Sequence, residues 1–88
     1  MPINAKTNDW QATEEMQKIN YIFGDNIRIE RLRRGFTIED VSFITNISAS
    51  YLGALERGVR TPSIDVLFIF CNIYGLTPNE LLTQRNNA

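Results

Sequence analysis

One pair of signals recurs four times between residues 35 and 78, and it limits every ordered segment there to a short helix. Each pair combines a residue that ends a helix or makes a turn with a hydroxyl residue that begins the next helix: Gly35 with Thr37, Asn46 with Ser48, Gly58 with Ser63, and Gly75 with Thr77. Glycine takes the left-handed conformation that follows many helices, and a serine or threonine oxygen caps free amides at a helix start. Because no segment alternates with a two-residue period beside a hairpin turn, the sequence predicts an all-α fold.

The same signals give five helices in one compact domain with an N-terminal extension. The first predicted helix begins near Thr13, carries apolar residues at helical spacing such as Phe23 and Ile27, and ends at Gly35; Gly24 is a weak point within it or its start. The next three run from Thr37 to about Thr45, from Ser48 to Gly58, and from 64 to 74. The fifth begins at 77–80, with threonine, proline and glutamate in capping positions.

The domain boundaries follow from this pattern. We expect residues 1–12 to form an arm that is flexible or packed on the body, residues 13–84 to form the helical domain, and residues 85–88 to be a disordered tail. A chain of 88 residues fits one domain.

Composition excludes several classes of protein. Cys71 is the single cysteine and there is no histidine, so we expect neither an internal disulfide nor a zinc site, and we expect no cofactor. Histidine bases, paired carboxylates and a phosphate-binding glycine loop are also lacking, so the chain is not expected to be an enzyme. There is no apolar run of membrane-spanning length and no secretory signal, which predicts a cytoplasmic protein with no membrane partner.

The charge distribution is more informative than the net charge of −1. Residues 28–60 hold six arginines against four carboxylates, whereas the segments on either side are acidic. A local excess of arginine predicts one basic face on a molecule that is slightly acidic overall.

Two short helices joined by a turn that holds one apolar residue are typical of the helix-turn-helix, whose second helix can enter a DNA major groove. The strings Gly35-Phe36-Thr37, Ile47-Ser48-x-Ser50-Tyr51-Leu52 and Leu55-Glu56-Arg57-Gly58-x-Arg60-x-Pro62-Ser63 resemble the lambda-repressor-like, or xenobiotic response element (XRE), family of transcription regulators. The likeness covers residues 24–82. In length the chain is also similar to small controller proteins and phage-type repressors.

The resemblance implies which residues of predicted helix 3 face DNA bases: Ser48, Ala49, Ser50, Tyr51, Gly53 and Ala54. None is an arginine, asparagine or glutamine, so direct base readout is expected to be sparse. We expect small residues to let the helix sink deep, leaving sequence choice to DNA shape. An alternative is that these residues are small because neighbouring helices or a second subunit press on them. Leu52 and Leu55 are expected in the core by their spacing.

Phosphate contacts are predicted for Arg57 and Arg60, with Thr37 and Ser48 as hydroxyl or amide donors. Arg34 is an equal choice between a phosphate contact and a solvated charge, and solvation is the preferred interpretation of Arg28 and Arg33. The family usually has glutamine where this chain has Ile38, which removes one polar contact to the DNA backbone.

Members of the family pair the residues that correspond to Arg31 and Glu56, and the resemblance implies the same structural ion pair here. Arginine's planar fork matches a carboxylate in two hydrogen bonds, which suits a junction between the ends of two helices.

Predicted helix 4 is apolar almost all round, so more than one side must be covered. Five of its residues match core positions of the family pattern: Ile64, Leu67, Phe70, Cys71 and Tyr74. The others, Val66, Ile69 and Ile73, predict a homodimer interface together with Leu76. The alternative cover is the N-terminal arm with Trp10.

These features predict a sequence-specific double-stranded DNA-binding regulator of transcription, a repressor, which binds a near-palindromic operator as a homodimer through predicted helix 3. Control through a regulatory protein partner is compatible with so short a domain. The alternative is a helix-turn-helix protein-interaction module, similar to an antitoxin or anti-repressor partner, with weak DNA binding. The net charge, Ile38 and the small residues of helix 3 favour that alternative.

Overall fold

A computed structural model describes the backbone of residues 5–85 and the side chains of residues 14–85. Within that range the fold is all-α, with five helices in chain order: α1 (Ala5–Arg33), α2 (Ile38–Thr45), α3 (Ala49–Glu56), α4 (Ile64–Tyr74) and α5 (Pro78–Leu81). The longest helix, α1, packs against α3 and α5, while α2 packs against α3 and α4 against α5. The all-helical class predicted from the sequence is confirmed.

Hydroxyl caps begin four of the five helices at the residues that the sequence indicated. Thr37 Oγ1 accepts a hydrogen bond from the Asp40 amide at 2.9 Å, and Asp40 in turn accepts from the Thr37 amide at 2.8 Å. Thr77 and Glu80 form the same reciprocal box at the start of α5. Each box satisfies amides that a helix start leaves without an intrahelical partner, and so it fixes where the chain turns.

The first helix differs from its sequence-based boundaries. It begins at Ala5, eight residues before Thr13, and it continues without a break through Gly24. Gly24 is buried at the crossing with α3, where an added Cβ would collide with the backbone oxygen of Leu55 and lie 2.8 Å from that of Glu56. Gly24 is therefore neither a start nor a weak point, because its missing side chain lets the two helices touch.

The core lies where all five helices meet. Its buried apolar residues are Phe23, Ile27, Val41, Leu52, Leu55, Leu67, Phe70, Tyr74 and Leu81. The phenyl ring of Phe70 meets that of Phe23 edge-on at 6.0 Å and stacks on the ring of Tyr74 at 5.7 Å. Such ring pairs add to the stabilisation from burial alone.

Two core assignments from the sequence need correction. Ile64 was expected in the core, but 67% of it is exposed, because it is the first residue of α4 and lies at the end of the helix, where less of the protein covers it. Cys71 is half-buried and packs against the core without belonging to its interior. Burial raises the pKa of the Cys71 thiol, which favours the neutral form.

Two buried polar residues of α1 connect the helix to the end of the chain. The Asn26 amide nitrogen donates to the carbonyl oxygens of Leu81 and Thr83 at 2.8 and 2.9 Å, which satisfies the end of α5. Glu30 accepts from Arg85 at 3.1 Å. Arg85 begins the expected tail, and residues 86–88 lie outside the described residues. The side chains of the expected arm, Trp10 included, also lie outside them.

Candidate nucleic-acid interface

The turn between α2 and α3 is held by local hydrogen bonds. Asn46 ends α2 in the left-handed conformation, with φ 62°, and its amide donates to the carbonyl oxygen of Ser42. The Ser42 hydroxyl then donates to the carbonyl oxygen of Ile47 at 2.6 Å, while the Ile47 side chain packs on the core. These contacts fix the direction in which α3 leaves the turn.

One side of α3 is buried and the other is open. Leu52 and Leu55 are almost completely buried, at 1% and 0% exposed, so the helix presents its opposite side to solvent. With about 100° between successive residues, one stripe of that side holds four residues, which we call the outer face of α3: Ser50, Gly53, Ala54 and Arg57.

The residues predicted to face bases differ in position and in exposure: Ser50, Gly53 and Ala54 lie on the outer face, Ala49 and Tyr51 lie to either side of it, and Ser48 precedes the helix. Ser48 and Ser50 are exposed, whereas Ala49, Tyr51, Gly53 and Ala54 are half-buried. Ser48 caps α3, its oxygen accepting from the Tyr51 amide at 3.1 Å. Tyr51 also packs against the core, so its ring has a structural contact in addition to the exposed one described next.

Two predicted phosphate ligands lie against α3. The guanidinium of Arg60 lies over the ring of Tyr51, with its carbon 5.4 Å from the ring centroid. Arg57 Nη1 lies 3.1 Å from the position that a Cβ on Gly53 would occupy. Within the described part of the chain, neither arginine forms an ion pair with a carboxylate. Their charges are therefore available to a ligand.

The structure brings Arg31 and Glu56 together as an ion pair with two hydrogen bonds. Arg31 Nε and Nη2 donate to the two carboxylate oxygens at 2.7 and 3.0 Å, and Nη1 donates to the carbonyl oxygen of Phe36 at 2.9 Å. Both side chains are nearly buried, at 13% and 10% exposed. The hydrogen bonds to Glu56 raise the pKa of Arg31 against the opposing effect of burial. The pair joins the end of α1 to the end of α3.

Arg34 lies in a different environment from Arg57 and Arg60. Its guanidinium donates to the carboxylate of Glu30 and to the Tyr74 carbonyl oxygen at 3.0 Å, and it also lies 4.6 Å from the centre of the Tyr74 ring. These contacts hold Arg34 between α1 and α4. Its predicted role at a phosphate would require it to leave several partners.

Glu30 is the centre of a cluster that the sequence analysis missed. Its buried carboxylate accepts from Arg33, Arg34 and Arg85. Burial alone would raise the pKa of Glu30, but the hydrogen bonds from Arg34 and Arg85 and the charges of Arg34 and Arg33 together outweigh burial and lower it. The spacing of Glu30 from the first two arginines, three and four residues, was the available signal; the contact with Arg85 crosses 55 residues.

Helix α2 offers fewer polar groups than its counterparts in the family pattern. The Thr37 oxygen already accepts the capping bond, and Ile38 is half-buried and packs against the core. Further along α2, Phe43 is 89% exposed and Ile44 48% exposed. The start of α2 therefore has its amides and one hydroxyl, but no long polar side chain at position 38.

The predicted dimer residues lie on one flank of α4 and, for Leu76, just after its C-terminal end. Val66, Ile73 and Leu76 are half-buried and pack partly against the core of their own chain, and Ile69 is half-buried as well. On the other flank Ile64 and Phe68 are more exposed, at 67% and 51%. The side of α4 opposite the core carries polar residues, Asp65 and Asn72, so the two apolar flanks are separate.

Other kinds of site are not found among the residues described. No group of three or more acidic or cysteine side chains is placed to hold a metal ion. None of the helices in the same part of the chain has the length and apolar character needed to cross a bilayer. Burial raises the pKa of the Tyr74 hydroxyl to about 12, with a further contribution from Glu56, so this group stays neutral in its structural position.

Comparisons with known proteins agree with this geometry. The model of the helix-turn-helix family matches residues 27–81. The chain is 36% identical over 58 residues to the transcriptional regulator DdrOP3 of Deinococcus deserti, covering 66% of this chain and 45% of that one. It is 34% identical over 67 residues to the regulator y4dJ of Sinorhizobium fredii, covering 76% and 87% of the two chains. The chain thus spans under half the length of the Deinococcus protein.

A solved structure is similar over nearly its whole length. The restriction-modification controller protein C.AhdI from Aeromonas hydrophila superposes with a TM-score of 0.64 at 29% identity, and the match covers 70% of this chain and 94% of the controller protein. The matched family region contains α2, the turn and α3, together with the Arg31–Glu56 pair. This chain therefore belongs to the helix-turn-helix family of transcriptional regulators, of the XRE type.

Proposed function

We propose that the protein is a sequence-specific double-stranded DNA-binding repressor. It binds its operator as a homodimer, with α3 of each subunit as the recognition helix. One observation carries the proposal: Arg57 and Arg60 lie against the exposed side of α3 with no carboxylate partner among the described residues. Lone cations beside a helix of small residues fit a polyanion whose groove accepts a helix.

The leading end of α3 is the part of the helix that enters the groove. Ser48 and Ser50 are exposed there, and their hydroxyls bond to bases or phosphates alike. The half-buried alanines on either side, Ala49 and Ala54, supply methyl groups for contact with thymine. Since the side chains of Ser48, Ala49 and Ser50 are small, the leading end of α3 can approach the base pairs closely.

Phosphate binding involves the flanks of α3 and the start of α2. Arg60, stacked on Tyr51, is held at one edge of the helix. Free amides at the helix starts near Thr37 and Ser48 attract phosphate oxygens. Arg34 is omitted from this set, because Glu30 and Tyr74 already hold its guanidinium.

A two-fold dimer supplies the second α3 that a near-palindromic operator requires. The flank of α4 formed by Val66, Ile69 and Ile73, extended by Leu76, is apolar and only half-buried. Covering it with a second copy would remove that surface from water. Two recognition helices about 34 Å apart would then meet successive turns of one face of the duplex. Such occupancy of an operator in the cytoplasm represses transcription by excluding polymerase.

Selection of bound duplexes from a random DNA pool tests the proposal. We expect an enriched near-palindrome, bound with an affinity that falls steeply with salt concentration. Recovery of no preferred sequence from the folded protein would contradict sequence-specific binding. The repressor role is tested separately by placing the selected site over a promoter, where expression should fall.

Sedimentation of two matched variants tests the dimer. Ile69→Lys should give monomers, because a charge would be placed in the proposed interface, whereas Phe68→Lys on the other flank should leave the mass unchanged. The opposite result would move the interface to the flank that contains Ile64 and Phe68. Monomers in the unchanged protein would remove the dimer from the proposal.

A second candidate function is a protein-interaction module with weak DNA binding. The observation that favours it is the exposed pair Phe43 and Ile44 on α2, at 89% and 48% exposed. Large apolar groups at the surface mark many sites of protein contact. A Phe43→Glu variant that keeps full operator binding and repression would show that this surface is not needed for the principal function.

A further inference from the structure

We propose that Arg57 contacts a guanine edge in the major groove and that Gly53 positions it there; this inference rests on the proposed function and identifies its specificity-determining residue. The residues expected to face bases include no arginine, asparagine or glutamine. None of them can therefore distinguish a base through two aligned hydrogen bonds. Arginine makes such a pair with the N7 and O6 atoms of guanine.

Arg57 lies at the C-terminal end of α3. It follows the last residue of α3, yet its backbone stays in the right-handed helical region, with φ −80° and ψ −6°, and its amide donates to the Gly53 carbonyl oxygen. The Cα of Arg57 therefore continues the helix. It stands in line with Gly53 and Ser50 on the outer face, at the centre of the surface that α3 presents to the groove.

The side chain of Arg57 points back along α3 toward Gly53. Side chains of a helix lean toward the N-terminal end, and Arg57 follows this rule, with Nη1 3.1 Å from the position of a Cβ on Gly53. The guanidinium has thus reached back by one turn of the helix, toward the leading end of α3. No carboxylate in the described part of the chain holds it elsewhere.

Arg60 contacts a different part of α3 from Arg57. Its guanidinium lies over the ring of Tyr51, and Tyr51 is about 100° around the helix from Ser50. Arg60 is accordingly at the edge of α3, where the sugar–phosphate backbone passes, whereas Arg57 is at the centre, where base edges lie. Arg57 therefore contacts a base, and Arg60 contacts a phosphate.

Gly53 lies inside α3. Glycine inside a helix is unfavourable relative to alanine. Gly53 is not needed for packing against another helix, because among the described residues Arg57 Nη1 is the one atom beyond the neighbouring residues and the helix's own backbone that lies within 4 Å of its added Cβ. The missing side chain leaves room for that guanidinium. Gly53 is therefore a positioning residue that acts through Arg57.

Conservative substitutions test the role of Arg57, with Arg60 as the matched control. The measurement is the ratio of Kd for a scrambled duplex to Kd for the selected operator, at fixed salt. Arg57→Lys should lower this ratio about tenfold or more, because lysine keeps the charge but not the paired hydrogen bonds. Arg60→Lys should change it less than about twofold. Both variants should keep the salt dependence of the wild-type protein. An unchanged ratio for Arg57→Lys would overturn the assignment to a base.

A double-mutant cycle tests Gly53. Gly53→Ala should lower the same ratio in the wild-type background by displacing the guanidinium, and should have no further effect in the Arg57→Lys background. An equal loss in both backgrounds would show that Gly53 acts by itself, and no loss in the wild-type background would show that it does not act; either result overturns the positioning role.

Failure of this inference is distinguishable from failure of the proposed function. If the wild-type protein selects no preferred duplex, both fail together at the first step. If it selects an operator and Arg57→Lys still discriminates as well as the wild type, the repressor proposal stands and the guanine contact alone is refuted.

Discussion

Arginines on the α1 side of the molecule and arginines on the α3 side have different partners. Arg31 and Arg34 donate to carboxylates and carbonyl oxygens, some of them nearby in the chain and some of them on α3 and α4. Arg57 and Arg60 lie against a glycine and an aromatic ring. All four belong to the same basic segment of the sequence, so the difference arises from the fold. Charges on the α1 side are used in holding helices together, and those on the α3 side remain for a ligand.

The two helical glycines make the same division. Gly24 lies at the crossing of α1 and α3, where an added Cβ would meet the backbone of both Leu55 and Glu56. Gly53 lies on the outer face, where an added Cβ would meet the tip of one flexible side chain. Backbone does not yield to a methyl group, but a side-chain tip does. One glycine therefore serves packing and the other serves the proposed interface.

The largest expected effect comes from breaking the Arg31–Glu56 pair. Glu56→Ala should lower the free energy of unfolding by about 3–5 kcal/mol, because a nearly buried guanidinium loses its partner. Denaturant titration followed by circular dichroism measures this change. The control is Arg28→Ala, which removes an exposed pair with Asp25 at 3.7 Å and should cost less than about 1 kcal/mol. Equal losses in the two variants would show that the Arg31–Glu56 pair stabilises the fold no more than an exposed ion pair does.

Gly24→Ala should be the next most damaging change, with a loss of about 2–3 kcal/mol on unfolding. Alanine is the better helix former, by about 1 kcal/mol, so a loss here isolates the steric cost at the crossing of α1 with α3. Thermal and denaturant unfolding give the measurement. A more stable variant would show that the two helices separate easily at this point.

The Glu30 cluster should contribute a pH-dependent stabilisation. Because its pKa is lowered in the folded protein, the stabilisation is present above the ordinary value of 4.5 and is lost as pH falls through the lower folded value. Glu30→Gln should therefore cost about 2 kcal/mol at neutral pH and flatten the fall in stability below pH 4.5. Unfolding free energies measured from pH 7 to pH 3 provide the test. An unchanged slope would mean that the arginines around Glu30 do not stabilise its ionised form.

The smallest effect has the opposite sign. Gly53→Ala should raise the free energy of unfolding by about 0.5–1 kcal/mol, because alanine loses less backbone entropy and only the tip of Arg57 must move. Calorimetry alongside Gly24→Ala compares the two glycines directly. If both substitutions destabilise the fold, then Gly53 is a packing residue as well.

Local signals explain how much of the fold was predictable. The caps Thr37, Ser48, Ser63 and Thr77 act through amides three residues along the chain, so the starts of four helices were visible in short strings of sequence. The left-handed Gly75 closes α4 for a similarly local reason. For α1 the sequence analysis used no such signal at the start of the helix, and an internal glycine suggested an interruption that the structure does not have.

The sequence allowed residues to be proposed for the candidate site, but it did not predict their arrangement. Which arginine lies across α3 and which is held by Glu30 depends on contacts such as that of Arg34 with Tyr74, forty residues away. Likewise, the family pattern placed Ile64 in the core, but this residue lies exposed at the start of α4.

By itself the sequence determined an all-α chain with a helix-turn-helix between Thr37 and Glu56, because helix starts and stops depend on neighbours within one turn of the chain. The tertiary structure alone decided that Gly24 is a contact point and that Arg85 joins two local arginines on the carboxylate of Glu30. It also left the guanidinium groups of Arg57 and Arg60 unpaired beside α3 within the described residues. Such outcomes depend on which distant groups meet when the helices pack, and the spacing of residues in one segment does not record those distances.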